Sequence, residues 1–215
     1  DSSAYNIQFR NGKPVLIDTL SFEIYREGQP WVAYRQFCQH FLAPLALMSY
    51  KDIRLNQLLR IYIDGIPLDL TSLLLPLRTS FKLSVLSHIN LHAKSQKHFA
   101  DKAVDTKAHK MKRISLLGLI DNLESAVNKL KWQVQDTEWG EYYEDTNYSE
   151  KALQHKKDVL TDYIEKINPA AVWDLGGNGG VYSRIASDKD IPTISFDIDP
   201  AAVEKSYLKC VTKGE

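Results

Sequence analysis

The sequence predicts an α/β fold in which a mostly helical N-terminal region with a β-hairpin precedes the start of a strand–helix–strand domain. Apolar runs flank Asn11-Gly12, which indicates a hairpin. Apolar residues recur at spacings of three and four from Trp31 onward, which indicates helices. A glycine-dense stretch, Gly176 to Gly180, lies between two apolar segments and is typical of a strand-to-helix turn.

These patterns divide the chain into four parts. They are a hairpin segment (1–25), a helical region (26–130), an aromatic-rich bridge with a helix (131–168) and the N-terminal part of the strand–helix–strand domain (169–215). Basic and acidic residues both number 27, so net charge gives no general attraction to nucleic acid or anionic lipid. No apolar run is long enough to cross a membrane. The only two cysteines, Cys38 and Cys210, lie far apart without metal-ligand spacing, which favours a reducing, cytoplasmic compartment.

The hairpin segment predicts strands over Tyr5 to Phe9 and Pro14 to Asp18. Asp1, Asn6 and Asp18 together resemble the catalytic loop and metal-binding aspartate of protein-kinase-like phosphotransferases. The resemblance implies that Asp1 orients a hydroxyl and that Asn6 and Asp18 hold magnesium. The chain departs from that family, since Thr19-Leu20 replaces Phe-Gly and there is no glycine-rich loop or paired strand lysine. A non-catalytic relic of that fold and a plain structural hairpin are therefore the alternatives to an active kinase.

The helical region begins with an amphipathic stripe that Pro44 is expected to kink or end; the stripe consists of Trp31, Tyr34, Phe37, Cys38 and Phe41. Three further helices are predicted over Arg54 to Tyr62, Leu68 to Leu77 and Ser115 to Leu130. The second of these is leucine-rich, is interrupted by Pro76 and is expected to be buried. The third presents an apolar face made of Leu116, Leu119, Ile120, Leu123 and Val127.

The stretch from His88 to Arg113 is rich in histidine and lysine. His88 and His92 are one helical turn apart, but no acidic residue or cysteine completes a ligand set, so we expect no metal site. A basic patch for tRNA or another anionic partner is one interpretation. A solvated helix face and linker is the other.

The glycine-dense turn follows a strand, Ala170 to Trp173, that ends on Asp174. A second strand, Thr193 to Phe196, ends on Asp197, which lies 23 residues after Asp174. An acid two residues before the first glycine is unfavourable for a pyrophosphate and suits a cationic ligand better.

This arrangement resembles the first motif of class I S-adenosylmethionine-dependent methyltransferases, acid-x-Gly-x-Gly-x-Gly, with Asn178 replacing the middle glycine. Asparagine tolerates left-handed backbone angles, so the replacement is mild. The resemblance implies a Rossmann-like domain and S-adenosylmethionine as cofactor. It implies that Asp197 binds the ribose, and that the methionine and ribose side is lined by Asp174, Gly176, Gly177, Asn178 and Gly180. The alternative is a glycine-rich turn without a ligand.

Between the helical region and this motif lies a cluster of Trp and Tyr residues, followed by Ser149 as the expected N-cap of a helix from Glu150 to Ile167. In many class I methyltransferases the segment before the first strand folds over the cofactor. By that analogy the lid or substrate contacts are Trp139, Tyr143, Asn147 and Tyr148. Simple packing onto the sheet is the alternative. The whole arrangement is similar to bacterial methyltransferases related to nodulation proteins.

We expect the chain to be part of a longer protein, because a methyltransferase domain needs more strands than the residues after Ala170 can hold, and the tail from Val211 shows no closing helix or strand. The resulting hypothesis is a methyltransferase with an unidentified acceptor. The competing hypothesis is a non-catalytic regulatory or interaction module with a kinase-like helical scaffold.

Overall fold

The structure is a computed structural model that describes residues 1–10, 13–92, 111–132 and 148–213. Its described residues combine helices with two small sheets. The chain divides into two compact units, Asp1–Gln133 and Val134–Glu215. A search of the described residues finds no helix long and apolar enough to span a membrane.

The N-terminal hairpin forms as predicted, from β1 (Ile7–Arg10) and β2 (Lys13–Leu16). The strands are antiparallel, with Ile7 opposite Leu16. β1 begins later than expected, because Ala4–Asn6 form a 3₁₀ turn. β2 ends earlier than expected, because Asp18 caps a 3₁₀ helix, Thr19–Ser21, by accepting from the Leu20 amide at 3.2 Å.

The aromatic stripe from Trp31 belongs to one helical segment that changes its hydrogen-bond pattern. It consists of α1 (Tyr34–Phe37), a π-helical turn (Cys38–Leu42) and α2 (Ala43–Tyr50). Pro44 does not end the helix, which runs on to Tyr50. The wider turn absorbs the irregularity, since the Ala43 amide donates to the Cys38 carbonyl just before the residue that lacks an N–H.

The chain from Ile53 to His92 is a series of short helices. They are a 3₁₀ helix (Ile53–Arg60), α3 (Leu68–Leu74), a 3₁₀ helix (Leu77–Phe81), α4 (Leu83–Val85) and a π-helical turn (Leu86–Leu91). The leucine-rich helix is buried only in part, because Pro76 separates α3 from the next 3₁₀ helix. Leu68 and Leu75 are buried, whereas Leu73 and Leu77 are 79% and 89% exposed.

The core of the first unit lies among these helices and α5 (Arg113–Lys129), which contributes Leu123 and Ala126. Leu47, Ile66 and Ile89 are fully buried there. The α5 helix forms close to its predicted bounds. Its predicted apolar face is covered unevenly, since Ile120 stays 43% exposed.

The second unit begins with α6 (Glu150–Ile167), whose predicted bounds and N-cap are confirmed: Ser149 Oγ accepts from the Ala152 amide at 3.2 Å. It continues with β3 (Val172–Leu175), α7 (Ser183–Ser187) and β4 (Thr193–Phe196). The two strands are parallel, with Val172 opposite Thr193.

The expectation that the tail lacks a closing helix is wrong, because α8 spans Pro200–Lys213. Asp199 starts this helix by accepting from the Ala201 amide at 2.8 Å, and proline suits a first helical position because its missing N–H is not needed there.

Candidate functional site

The backbone amides of the glycine turn bond within the protein. The amides of Gly176 and Gly177 both donate to the Phe196 carbonyl at 2.9 Å, and the Gly180 amide donates to the Gly177 carbonyl at 2.9 Å. The Asn178 amide donates to Asp197 Oδ2 at 2.8 Å, and the Gly179 amide donates to Asn178 Oδ1 at 2.6 Å. A phosphate-binding loop needs amides that point at its anion. In this turn, by contrast, these amides donate to acceptors within the protein.

The turn keeps this shape because three alternate residues have left-handed backbone angles. The φ angles are +83° at Gly176, +49° at Asn178 and +72° at Gly180. Asn178 therefore adopts the conformation that the motif requires, as expected for an asparagine in a glycine position. The helix that follows, α7, is only five residues long. The glycine turn is thus followed by a helix, as a strand-to-helix turn predicts, but the helix is short.

Asp174 lies at the carboxyl end of β3, half-buried, and Ser183 Oγ donates to its Oδ2 at 2.6 Å. A Cβ on Gly177 would come within 3.0 Å of the same oxygen and 2.1 Å of Ser195 Oγ. Gly177 is therefore needed to let the turn pass close to the strand ends.

Asp197 lies at the end of β4, next to the end of β3, because the strands are parallel and in register. Its Oδ2 accepts from the Asn178 amide and its Oδ1 from the Asp199 amide, both at 2.8 Å. A carboxylate has about four lone-pair sites, so these two bonds hold it in place and leave acceptor capacity on each oxygen.

Arg184 fastens the far side of the turn. Its Nη1 donates to the carbonyls of Gly179 and Gly180 at 2.7 and 2.8 Å. Its Nη2 donates to the Ser206 carbonyl at 3.3 Å and to Cys210 Sγ at 3.6 Å, which ties the turn to α8. A Cβ on Gly180 would lie 2.8 Å from Nη1, so the absence of a side chain at Gly180 lets Arg184 pack against the turn.

An open cleft of about 570 Å³ lies over the two strand ends. Four of the predicted site residues line it together: Asp174, Gly176, Asn178 and Asp197. Of the predicted lid residues Tyr148 also lines it, while Trp139, Tyr143 and Asn147 fall outside the described residues. Gly177 and Gly180 are buried behind the cleft.

The cleft also has walls that the sequence reasoning missed. They are Leu153, Lys156 and Leu160 from α6, Tyr182 after the turn, and Leu175 and Ile198 at the strand ends. The α6 residues could have been found, because their spacing of three and four puts them on one helical face. Ile198 is 96% exposed and directly follows Asp197, so its apolar side chain is available at the cleft.

The candidate residues of the first unit form structural contacts. Asn6 Nδ2 lies 3.4 Å from Asp18 Oδ2, so the kinase-like pair is adjacent, but Asp18 is also held by its capping bond to Leu20. Asp1 Oδ1 accepts from the Ser3 amide at 3.0 Å.

His88 is not arranged as a metal ligand. Its Nδ1 lies 2.6 Å from the Tyr34 hydroxyl and its Nε2 lies 2.7 Å from Asn122 Oδ1, so an imidazole protonated on Nε2 satisfies both contacts. His92 stacks on Tyr34 at 5.1 Å, and burial lowers its pKa. Within the described residues no cluster could hold a metal ion. Most of the basic stretch, 93–110, lies outside them.

Burial also raises the pKa of two groups beside this network. The pKa of the Cys38 thiol rises to about 12, and the pKa of the Tyr34 hydroxyl is raised as well. Both groups therefore stay neutral in the folded protein at ordinary pH.

The fold and the cleft define a mixed helix-and-sheet protein with an acidic, glycine-turn site at the ends of two parallel strands. The chain is 30% identical to nodulation protein NoeA of Rhizobium meliloti (strain 1021) over 217 aligned positions, which covers 98% of this chain and 46% of that protein. It thus spans about half the length of the curated relative that it matches. No family model matches the chain, and no solved structure matches it. The expected similarity to nodulation proteins is found, although that name specifies no reaction.

Proposed function

We propose that residues 148–213 form the cofactor-binding part of an S-adenosylmethionine-dependent methyltransferase, the beginning of a Rossmann-like domain. One observation carries the proposal: Asp174 and Asp197 end adjacent parallel strands and line one cleft, while the amides of the turn between them are used internally. An anionic dinucleotide would meet two carboxylates and few amides. A cationic nucleoside suits the same groups.

The residues present fit such a cofactor. The left-handed Gly176 has open space where a Cβ would stand, so a ligand can approach its backbone. Asp197 is fixed by two amides and can accept from ribose hydroxyls, and the exposed Ile198 offers an apolar surface for a base. A cleft of about 570 Å³ lies within the range of about 300–1,000 Å³ that is usual for small-molecule sites.

When bound, the cofactor supplies a methyl group on a positively charged sulfur. The chain's own residues position it: Asp197 and Asp174 hold polar groups, and Leu153, Leu160 and Ile198 offer apolar surface. Holding the reactants in line is the largest part of what such a site must do. A cytoplasmic location, suited to the unpaired Cys38 and Cys210, belongs to the same proposal.

Calorimetric titration of the intact protein with S-adenosylhomocysteine tests the proposal. We expect binding by the unmutated protein, and binding weaker by roughly 1–3 kcal/mol in Asp197→Ala, because the ribose hydroxyls lose a charged acceptor and the turn loses the bonds from the amides of Asn178 and Asp199. Asp188 is an exposed acid of the same unit that is not part of the cleft, so the Asp188→Ala variant should bind S-adenosylhomocysteine with unchanged affinity. Tight binding of NADH or ATP without S-adenosylhomocysteine binding would contradict the proposal.

A second candidate, a non-catalytic module with a kinase-like helical scaffold, is favoured by the contact between Asn6 and Asp18. Because Asp18 is engaged in capping Thr19–Ser21, we expect magnesium and ATP to leave the melting temperature of the first unit unchanged. A magnesium-dependent rise would indicate a nucleotide site there.

A further inference from the structure

The cleft of the second unit contains charges of both signs that are kept apart. Asp174 and Asp197 line it from the strand ends, and Lys156 lines it from α6. The Lys156 ammonium lies over the Tyr182 ring, 4.3 Å from the ring centroid. Among the ion pairs of the described residues, none involves Lys156.

The two acids are held by other donors. Asp197 accepts from two backbone amides and Asp174 accepts from Ser183 Oγ. The cation is held by an aromatic face, which attracts it without neutralising its charge. The cleft therefore presents negative and positive charges that form no ion pair with each other. A ligand that carries both a cation and an anion complements both kinds of charge, whereas a purely anionic ligand is repelled by the acids and a purely cationic ligand by Lys156.

We infer that Lys156 binds the carboxylate of the amino-acid end of the cofactor, with the Tyr182 ring positioning its ammonium. The inference rests on the proposed function, since S-adenosylmethionine and S-adenosylhomocysteine both end in a zwitterionic amino acid. Leu153 and Leu160 share the helical face of Lys156 and give its stem an apolar surface to lie on. Lys156 thereby discriminates the complete cofactor from a nucleoside that lacks the amino acid.

Calorimetry with two probes tests this inference on the intact protein. The first probe is S-adenosylhomocysteine, and the second is 5′-methylthioadenosine, which keeps the adenosine and sulfur but has no amino-acid end. Lys156→Gln should weaken S-adenosylhomocysteine binding about 3- to 10-fold, the range for a solvent-accessible charged hydrogen bond, and leave 5′-methylthioadenosine binding unchanged. Lys151 is an exposed lysine of the same helix that lies outside the cleft, so the Lys151→Gln variant should bind both probes with unchanged affinity.

The positioning role of Tyr182 has its own readout. Tyr182→Leu should weaken binding of S-adenosylhomocysteine more than binding of 5′-methylthioadenosine. In a protein that already carries Lys156→Gln, the same substitution should cause little further loss of affinity, because the ring acts through the Lys156 ammonium.

The outcomes of these titrations distinguish failure of the inference from failure of the proposed function. Unchanged S-adenosylhomocysteine binding in Lys156→Gln, or equal weakening of both probes, would overturn the inference and leave the proposed function standing. Absence of S-adenosylhomocysteine binding by the unmutated protein would overturn the proposed function and the inference with it. A selective loss would establish Lys156 as the carboxylate ligand.

Discussion

The substitution Asp197→Asn tests whether the acid at the end of β4 organises the glycine turn. It keeps the side-chain shape but leaves one acceptor oxygen for two amides, those of Asn178 and Asp199, which now lie 2.8 Å from separate oxygens. Hydrogen bonds to charged groups contribute about 1.5–3 kcal/mol each. Because one bond is lost and the other loses its charge, the free energy of unfolding of the second unit should fall by about 2–3 kcal/mol.

Hydrogen exchange followed by mass spectrometry or NMR is the direct assay. The amide that loses its acceptor should exchange faster, and urea unfolding should show the lower stability. Asp188→Asn is the matched control, since it makes the same chemical change at an exposed position outside the turn. Unchanged exchange at both Asn178 and Asp199, with unchanged unfolding, would refute the assigned role of the carboxylate.

Three further predictions concern other contacts. The second unit should melt at a clearly lower temperature in the Gly180→Ala variant than in the Gly179→Ala variant. A left-handed non-glycine residue costs about 1–2 kcal/mol, and of these two glycines Gly180 is the one with a left-handed φ (+72°) and close neighbours. Tyr34→Phe should destabilise the first unit by about 1–3 kcal/mol, since buried His88 loses the hydroxyl 2.6 Å away. Raising the pH above 9 should weaken the first unit, because the Cys38 pKa rises from 9.0 to about 12 on folding and the unfolded thiol ionises first.

Controls separate these effects from general damage. Tyr25→Phe, at an exposed tyrosine, should leave the stability of the first unit nearly unchanged. Cys38→Ala should flatten the fall of unfolding free energy above pH 9, measured in urea at several pH values, in proportion to the contribution of the thiol. Equal stability of the two glycine variants, or a pH profile unaffected by Cys38→Ala, would contradict the corresponding argument.

Local signals were sufficient where a short stretch of chain determines the structure. Ser149 and the amphipathic run after it predicted α6 with its bounds, and the alternating apolar residues before Asp197 predicted β4. Asp199-Pro200 is an equally local helix start, and the helix α8 that follows it extends through Val211 to Lys213, where no closing helix was predicted.

Non-local contacts account for most of what the sequence reasoning did not find. The bond from the Asn178 amide to Asp197 crosses 19 residues, and Arg184 reaches Cys210 across 26 residues. No periodicity encodes such pairs. The same limit hid Lys156, which in sequence is one of several lysines on a solvated helix and only in three dimensions lines the same cleft as two acids.

Trp173 and Phe196 stand on the same side of the two-stranded parallel sheet, with ring centroids 5.8 Å apart, and Trp173 is 69% exposed. An indole in that position emits at long wavelength and is open to collisional quenching by small solutes. Any element or partner that covers this side of the sheet would move the emission to shorter wavelength and protect it from quenching. In a variant that keeps Trp173 as its single tryptophan, the emission therefore reports the coverage of this side of the sheet.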